Sequence, residues 1–263
     1  MATVTQVVKI TRSPGNNYIK ASDFNRRQLK ITEELNPINK ENIHPTIVGL
    51  AVDYLTRFQL EGDIRKAFSI SIRGAEACSL MKQSNTPKKT AEKLLGKIEG
   101  LDMVSVSNAC KLVTFDVWYR NPFGALEGTK DYKKTNPNKE TTDNIKVMVD
   151  RSIRFFEEYG PVTKFGFDFK PNGYSERVTK GDGDYLTKDT LWDFKVSKNH
   201  PDCKNALQIL MYWVMGQHSG QDCYKDISKI GIFNPRLNIV YTYKISQIFP
   251  EIIEDVEELV IRY

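Results

Sequence analysis

Residues 181–197 read GDGDYLTKDTLWDFKVS, and residues 200–220 read HPDCKNALQILMYWVMGQHSG. The first stretch divides into two β-prone runs around the polar pair Lys188-Asp189, which suits a tight connection, and it predicts a hairpin. Asp184 sits on the first strand, Asp193 and Lys195 on the second. Side chains alternate along a strand, so Asp193 and Lys195 share one face and Phe194 takes the other. Pairing of the two strands brings Asp184 close to the neighbours of Asp193.

Two carboxylates side by side at a strand edge make a hard, oxygen-rich site of the kind that holds Mg²⁺ or Mn²⁺, ions that keep several waters and bind substrate phosphate. An ammonium beside such a site, here Lys195, can orient a metal-activated water or neutralise charge on a phosphorus centre under attack. The expected layout is that of a metal-dependent phosphodiesterase, with no covalent step asked of the protein.

Asp-x-Lys triplets are common where 27% of residues are charged, and the chain has two others. Asp131-Tyr132-Lys133 lies in GTKDYKKTNPNKE, a polar run punctuated by Gly and Pro that reads as a loop. Asp168-Phe169-Lys170 lies on a plausible strand, but Pro171-Asn172-Gly173 ends it at once, the upstream acids Glu157 and Glu158 fall on a helix, and no glutamine helix follows directly. Only the triplet 193–195 has an upstream acid, an apolar strand and a downstream helix together.

That helix, over residues 200–220, has Pro201 at an early position and Gly216 or Gly220 as its stop. It is apolar nearly all round, which predicts burial. The exceptions are Lys204, Gln208 and Tyr212, which recur every four residues and form one polar stripe. Such a stripe contacts phosphate or orders the lysine and carboxylates, or else it is a helix edge facing solvent.

Gly181-x-x-Asp184, Asp193-x-Lys195 and Gln208-x-x-x-Tyr212 together resemble the RecB-like branch of the PD-(D/E)XK nuclease superfamily. The resemblance spans about residues 45–245 in element order and rests on about seven specific residues. It implies an α/β fold with a restriction-endonuclease-like core, a central mixed β-sheet flanked by helices in the order α-β-β-β-α-β. It implies Asp184 and Asp193 as metal ligands, Lys195 as catalytic, and Gln208 and Tyr212 as active-site supports. Asp182 is a second candidate acid with poorer spacing. The family's upstream Gly-x-x-x-His appears here as Gly49-x-x-x-Asp53, a departure that leaves Asp53 as an extra candidate metal or proton group. Some relatives hold an iron–sulfur cluster through clustered cysteines; Cys78, Cys110, Cys203 and Cys223 lack that clustering, so no cluster is expected. Zinc on His200 and Cys203 with His218 and Cys223 is disfavoured, because the intervening helix would hold the pairs roughly 20 Å apart.

At 263 residues the chain is long enough to bury a sizeable core, and it is expected as a single domain. The nuclease-like core would comprise about 45–60 with 160–245, a helical and basic insertion about 61–160, and a C-terminal helix about 249–262. The N-terminus lacks the apolar core of a signal peptide and no run is long enough to span a membrane, so a cytoplasmic protein with reduced thiols and no membrane partner is expected.

The formal charge is only +5, but its distribution is uneven. Lys82, Lys88, Lys89, Lys93 and Lys97 crowd one stretch, and Lys130, Lys133, Lys134 and Lys139 another. Either is a phosphate-attracting patch or a solvated face. Lys133, Lys134 and Lys204 are the candidate nucleic-acid contacts.

Along the chain, residues 1–44 read as a short strand, an Asn/Gly turn, a helix start at Ser22-Asp23 and a Pro-marked loop. A strongly apolar helix follows at about 46–60, then a basic amphipathic helix at about 87–99, a strand VTFDVWY at about 113–119, a polar loop 120–140, and a helix TTDNIKVMVDRSIRFFEEYG. A strand near 163–169, the hairpin, the glutamine helix, the strands KIGIFN and LNIVYTYKI and a closing helix complete the order.

These readings converge on a Mg²⁺- or Mn²⁺-dependent nuclease that hydrolyses DNA, with further copies of the chain as candidate partners. The rival readings are a catalytically silent module that keeps the fold for binding nucleic acid or protein, and a structural protein whose hairpin acids are merely solvated. RNA in place of DNA, and exonuclease or endonuclease action, stay open at this level.

Overall fold

The computed structural model describes residues 2–12, 17–31, 33–128 and 132–263. In chain order its elements are strand β1 (Ala2–Thr3), helix α1 (Val4–Ile10), strand β2 (Asn25–Gln28), and helices α2 (Pro45–Glu61), α3 (Ile64–Ala67), α4 (Ser69–Met81), α5 (Thr86–Leu95), α6 (Met103–Leu112), α7 (Asp116–Arg120), α8 (Pro122–Glu127) and α9 (Lys139–Tyr159). Strands β3 (Lys164–Phe167), β4 (Val178–Lys180), β5 (Gly183–Leu186) and β6 (Thr190–Phe194) follow, then helix α10 (Cys203–His218), strands β7 (Lys229–Asn234) and β8 (Ile239–Lys244), and helix α11 (Pro250–Asp255), which runs on as a π-helical segment Val256–Ile261.

The chain, expected as a single domain, divides into two compact units, Met1–Lys30 with Phe155–Tyr263 and Ile31–Arg154. Helix α2, expected to join residues 160–245, falls in the second unit, where it packs with α6. Among the described residues no helix is long and apolar enough to cross a membrane.

The first unit is built on a mixed six-stranded sheet in the order β2-β8-β7-β6-β5-β3. Every neighbouring pair is antiparallel except β6 and β7. That parallel pair is the one joined by a helix, α10, as a parallel connection requires. The alternation predicted for residues 181–197 divides the sheet into two faces. Leu186, Leu191, Ile230 and Ile232 pack with the buried side of α10, where Leu207, Leu210, Met211 and Val214 are fully buried. Each such aliphatic side chain contributes on the order of 2 kcal/mol through burial. On the opposite face, the end of α9 lays Phe155 edge-on to Trp192 and stacked on Phe233, and lays Phe156 on Phe194. All five residues of β6 are buried, which explains why this strand reads as a nearly continuous apolar run with one aspartate in it.

Several local expectations are corrected. Residues 4–10 form a helix, not a strand: a capping box between Thr3 and Gln6 starts it, and Val4, Val7 and Val8 bury at helical spacing. Ser22-Asp23 opens no long helix; a single 3₁₀ turn leads into β2, which pairs with β8. VTFDVWY is not a strand but a 3₁₀ turn, Val113–Phe115, followed by α7. The reason is the second unit's helical packing. Gly74 of α4 lets the chain come so close that a Cβ there would lie 2.0 Å from the Phe115 carbonyl oxygen. Asp116 is held by the Tyr54 and Ser71 hydroxyls, each donating at 2.5 Å. The polar loop 120–140 includes α8 and a 3₁₀ turn at Tyr132–Lys134; Lys130 and Asp131, and most of the expected Asn/Gly turn, lie outside the described residues.

Candidate functional site

Strands β5 and β6 pair with Tyr185 opposite Trp192 and Leu186 opposite Leu191. Extending that register by one residue sets Asp184 opposite Asp193. Both acids share the parity of Leu186 and Leu191 on their strands, so they belong to the sheet face covered by α10. Lys195, two residues past Asp193, belongs to it too. Asp184 Oδ2 accepts the Phe194 backbone N–H at 2.7 Å, which fixes this carboxylate against the end of β6. The Lys195 N–H in turn donates to the Phe233 carbonyl at 3.0 Å, so β7 holds the lysine's backbone.

Asp193 is 4% exposed. Its Oδ2 lies 2.9 Å from Lys195 Nζ and its Oδ1 lies 3.2 Å away. Lys195 Nζ also donates to Gln208 Oε1 at 3.2 Å, and Gln208 Nε2 donates to the Tyr212 hydroxyl at 2.8 Å. One chain of contacts therefore runs Asp193, Lys195, Gln208, Tyr212, and links the strand end to two successive turns of α10. The sequence placed Gln208 and Tyr212 on one helical stripe, and the structure brings both to the hairpin acids. Lys204, the third member of the stripe, is exposed in the helix's first turn.

Burial pulls the Lys195 ammonium down. The charge and hydrogen bond of Asp193, followed by the charges of Asp184 and Asp202, outweigh it, and the net shift is upward. Lys195 is thus a stable cation at neutral pH, suited to neutralising or orienting and not to acting as a base. Burial raises Tyr212 well above the ordinary phenol value, and the charges of Asp193, Asp184 and Asp182 raise it further. The phenol stays protonated. That three acids act on one hydroxyl shows that Asp182, exposed at the start of the hairpin, belongs to the same electrostatic neighbourhood.

Asp202 was not singled out from the sequence as part of this site. It caps α10, accepting from the Lys204 and Asn205 backbone N–H groups at 2.9 and 3.0 Å, and its charge also reaches Lys195. The signal in the sequence is a capping box, Asp202 with Asn205 three residues on, just ahead of the apolar run of the helix.

The other candidates have these surroundings. Asp53 lies in the second unit, bound bidentately by Arg57 at 2.9 Å through each oxygen. Lys133 and Lys134 are exposed on the turn Tyr132–Lys134 of the same unit. Of the rival triplets, Asp168 accepts from the Lys170 backbone and from Gln221, which makes it a loop pin. His200 pairs with the Tyr241 hydroxyl and His218 with Glu257, so each ring has a local partner.

Among the described residues no three His, Cys, Asp or Glu side chains gather into a cage for a metal ion. The donor set at the hairpin is smaller, Asp184 and Asp193, and of a definite chemistry: two hard oxygen donors beside one ammonium. That set fits an ion such as Mg²⁺, which takes one or two carboxylates and fills its shell with water and substrate phosphate. Comparisons with protein-family models, with curated proteins and with solved structures return no match for this chain.

Proposed function

We propose that the first unit is a restriction-endonuclease-like core of the PD-(D/E)XK type and that the protein is a Mg²⁺- or Mn²⁺-dependent nuclease acting on DNA. The observation that carries this reading is the convergence of Asp184, Asp193 and Lys195 on one sheet face, with Lys195 tied through Gln208 to Tyr212. Within the six-stranded sheet β3, β5, β6, α10 and β7 follow in the order β-β-β-α-β, with the intervening β4 paired to β1 instead, and the parallel β6–β7 pair around α10 supports the reading.

Asp184 and Asp193 would hold the ion, which when bound supplies Lewis acidity and a water of lowered pKa. Asp184 is oriented by the Phe194 N–H and Asp193 by the lysine. Lys195, kept charged by its acidic neighbours, stabilises the negative charge that builds on the phosphoryl oxygens or holds the attacking water in place. Gln208 fixes the ammonium from the helix side, and Tyr212, protonated and buried, fixes Gln208. The test is cleavage of DNA in Mn²⁺ by the wild type, Lys195→Ala and Asp193→Ala. Equal cleavage by all three would sink the assignment.

One observation favours a second reading, a silent module that binds without cutting: both Asp193 oxygens are already engaged by Lys195. Thermal unfolding with and without Mn²⁺ separates the two, since a ligand bound only by the native state raises its apparent stability. A live site gives a shift that Asp184→Ala removes; a silent one gives none.

A further inference from the structure

Helix α5 divides the basic stretch 82–97 between two sides. Its inner side buries Ala91, Leu94 and Leu95, with Ile98 just past its end, at the i, i+3, i+4, i+7 spacing of an amphipathic helix. Its outer side carries Lys89 and Lys93, one turn apart, and Lys97 follows one turn further on. The coil runs past Leu95 to reach it, with the Gly96 N–H donating to the Glu92 carbonyl at 3.0 Å and the Lys97 N–H to the Leu94 carbonyl at 3.1 Å. All three lysines are exposed. The other charges of α5 are committed: Lys88 Nζ lies 3.3 Å from Glu76 Oε1, and both terminal nitrogens of Arg65 donate to the Glu92 carboxylate. Among the described residues no ion pair engages Lys89, Lys93 or Lys97. Glu99 and Asp102 follow in the chain and end the row at three.

Four residues of helix rise about 6 Å, so the row is about 12 Å long. Each strand of duplex DNA presents a phosphate about every 3.4 Å along the axis, and the flexible four-carbon stems let ammonium groups spaced in this way reach alternate phosphates. Like charges one turn apart repel on a bare helix. A polyanion relieves that repulsion, and its condensed counterions are released as the lysines replace them. The character of the face narrows the partner. Helix α5 contains no aromatic residue, so unpaired bases have nothing to stack on, and it exposes no large apolar side chain, so it has nothing to insert into a bilayer. We propose that the outer face of α5 docks duplex DNA, with Lys89, Lys93 and Lys97 on phosphates of one strand and no reading of the bases. This face belongs to the second unit and needs neither a metal nor the hairpin acids.

The experiment uses the full chain in EDTA, so that binding is read without cleavage and the fate of the nuclease reading does not enter. Fluorescence anisotropy follows two short labelled duplexes of unrelated sequence, an oligothymidylate of the same length and a labelled poly-glutamate peptide across a range of salt concentrations. The proteins are the wild type, Lys89→Ala, Lys93→Ala and Lys97→Ala singly and together, and a charge-matched control with Lys9→Ala, Lys30→Ala and Lys244→Ala, three lysines exposed in the first unit. The substituted lysines are all exposed and alanine is the best helix former, so the variants fold. The wild type binds both duplexes alike, and the logarithm of its binding constant falls against that of the salt concentration with a slope of about −2.7 or steeper, roughly 0.9 for each phosphate contact. Each single substitution makes the slope shallower by about 0.9, and the triple variant on α5 binds at least about tenfold more weakly while the control keeps the wild-type slope. The proposal is overturned if neither duplex binds, if one duplex binds about tenfold or more tightly than the other, if the α5 triple variant keeps the wild-type slope, or if the control loses as much. Oligothymidylate or poly-glutamate binding as tightly as the duplexes overturns it too, and assigns the face to a single strand or to an acidic protein.

Discussion

Lys195 Nζ stands 2.9 Å from Oδ2 of Asp193 at the end of a fully buried strand. The aspartate side chain is 6% exposed and the lysine 27%, so the pair is shielded on the acid's side and partly open on the lysine's. Removing the ammonium strands a buried carboxylate, and leaving a buried charge without its partner is more costly than the pair is worth. Lys195→Ala should therefore lower stability by roughly 1–3 kcal/mol in urea denaturation, and cleavage should fall by about 10²-fold or more. Mn²⁺ should stabilise Lys195→Ala more than the wild type, because a divalent cation can replace the lost countercharge. A smaller Mn²⁺ shift in the variant would remove the carboxylate from the metal site.

Gln208 uses both ends of its amide, accepting from Lys195 and donating to Tyr212. Tyr212→Phe keeps the buried ring and deletes only the hydroxyl, so the fold should persist with a loss of about 1 kcal/mol. The amide is then free to rotate, and cleavage should drop about tenfold while the KM for DNA stays within twofold, the signature of a positioning residue. Gln208→Leu should reproduce the effect on kcat, and the double variant should be no worse than the worse single one. Additive losses would show that the tyrosine acts by another route.

This network was legible because each part obeys a short-range rule. Period two in a strand put Asp193 and Lys195 together, and period four on a helix put Gln208 and Tyr212 together. The crossover between β6 and β7 supplied the rest, and KIGIFN and LNIVYTYKI fell where their turn residues placed them. Val4–Ile10 and VTFDVWY were misread because β-branched and aromatic residues suit a strand in isolation, and only tertiary neighbours overrule them. Nothing local to Val113–Tyr119 announces that Tyr54 and Ser71, far upstream, hold Asp116 in a helical unit. Asp53 matches the motif by its spacing from Gly49, and what the sequence leaves unsaid is that Arg57, one turn on, donates to both of its oxygens.

Asp116 gives the second unit a pH dependence. Burial pushes its carboxyl up, hydrogen bonds from Ser71 and Tyr54 and the charge of Arg120 pull it part of the way back, and it settles at about 6. The folded value lies above the ordinary 3.8, so the native state holds the extra proton between those limits. Stability from this group is full below about pH 4, declines as pH rises through 6 and is level above it. Asp116→Asn removes the titration. The stability of the wild type relative to this variant should fall by on the order of 1–3 kcal/mol between pH 4 and pH 7.5, measured by urea denaturation of both. A pH-independent difference would mean the carboxyl ionises freely in the folded protein.

Gly231 lies opposite Trp192 across the β6–β7 pair, and a Cβ there would come within 2.2 Å of the indole. The ring cannot retreat. Its Nε1 donates to Thr187 Oγ1 at 3.0 Å, and Phe155 and Tyr159 meet it edge-on at 4.8 and 5.5 Å. In Gly231→Ala the strand must therefore give way, at a cost of about 1–3 kcal/mol. The next residue, Ile232, is the register partner of Asp193, so the displacement passes into the candidate site and cleavage should fall along with stability. Trimming the indole in Trp192→Phe makes room, and adding Gly231→Ala to that background should cost less than it does alone. A double-mutant cycle by urea denaturation measures the coupling. Strict additivity would show that β7 takes up the methyl group without moving against β6, and would break the link drawn between this packing contact and the position of Asp193.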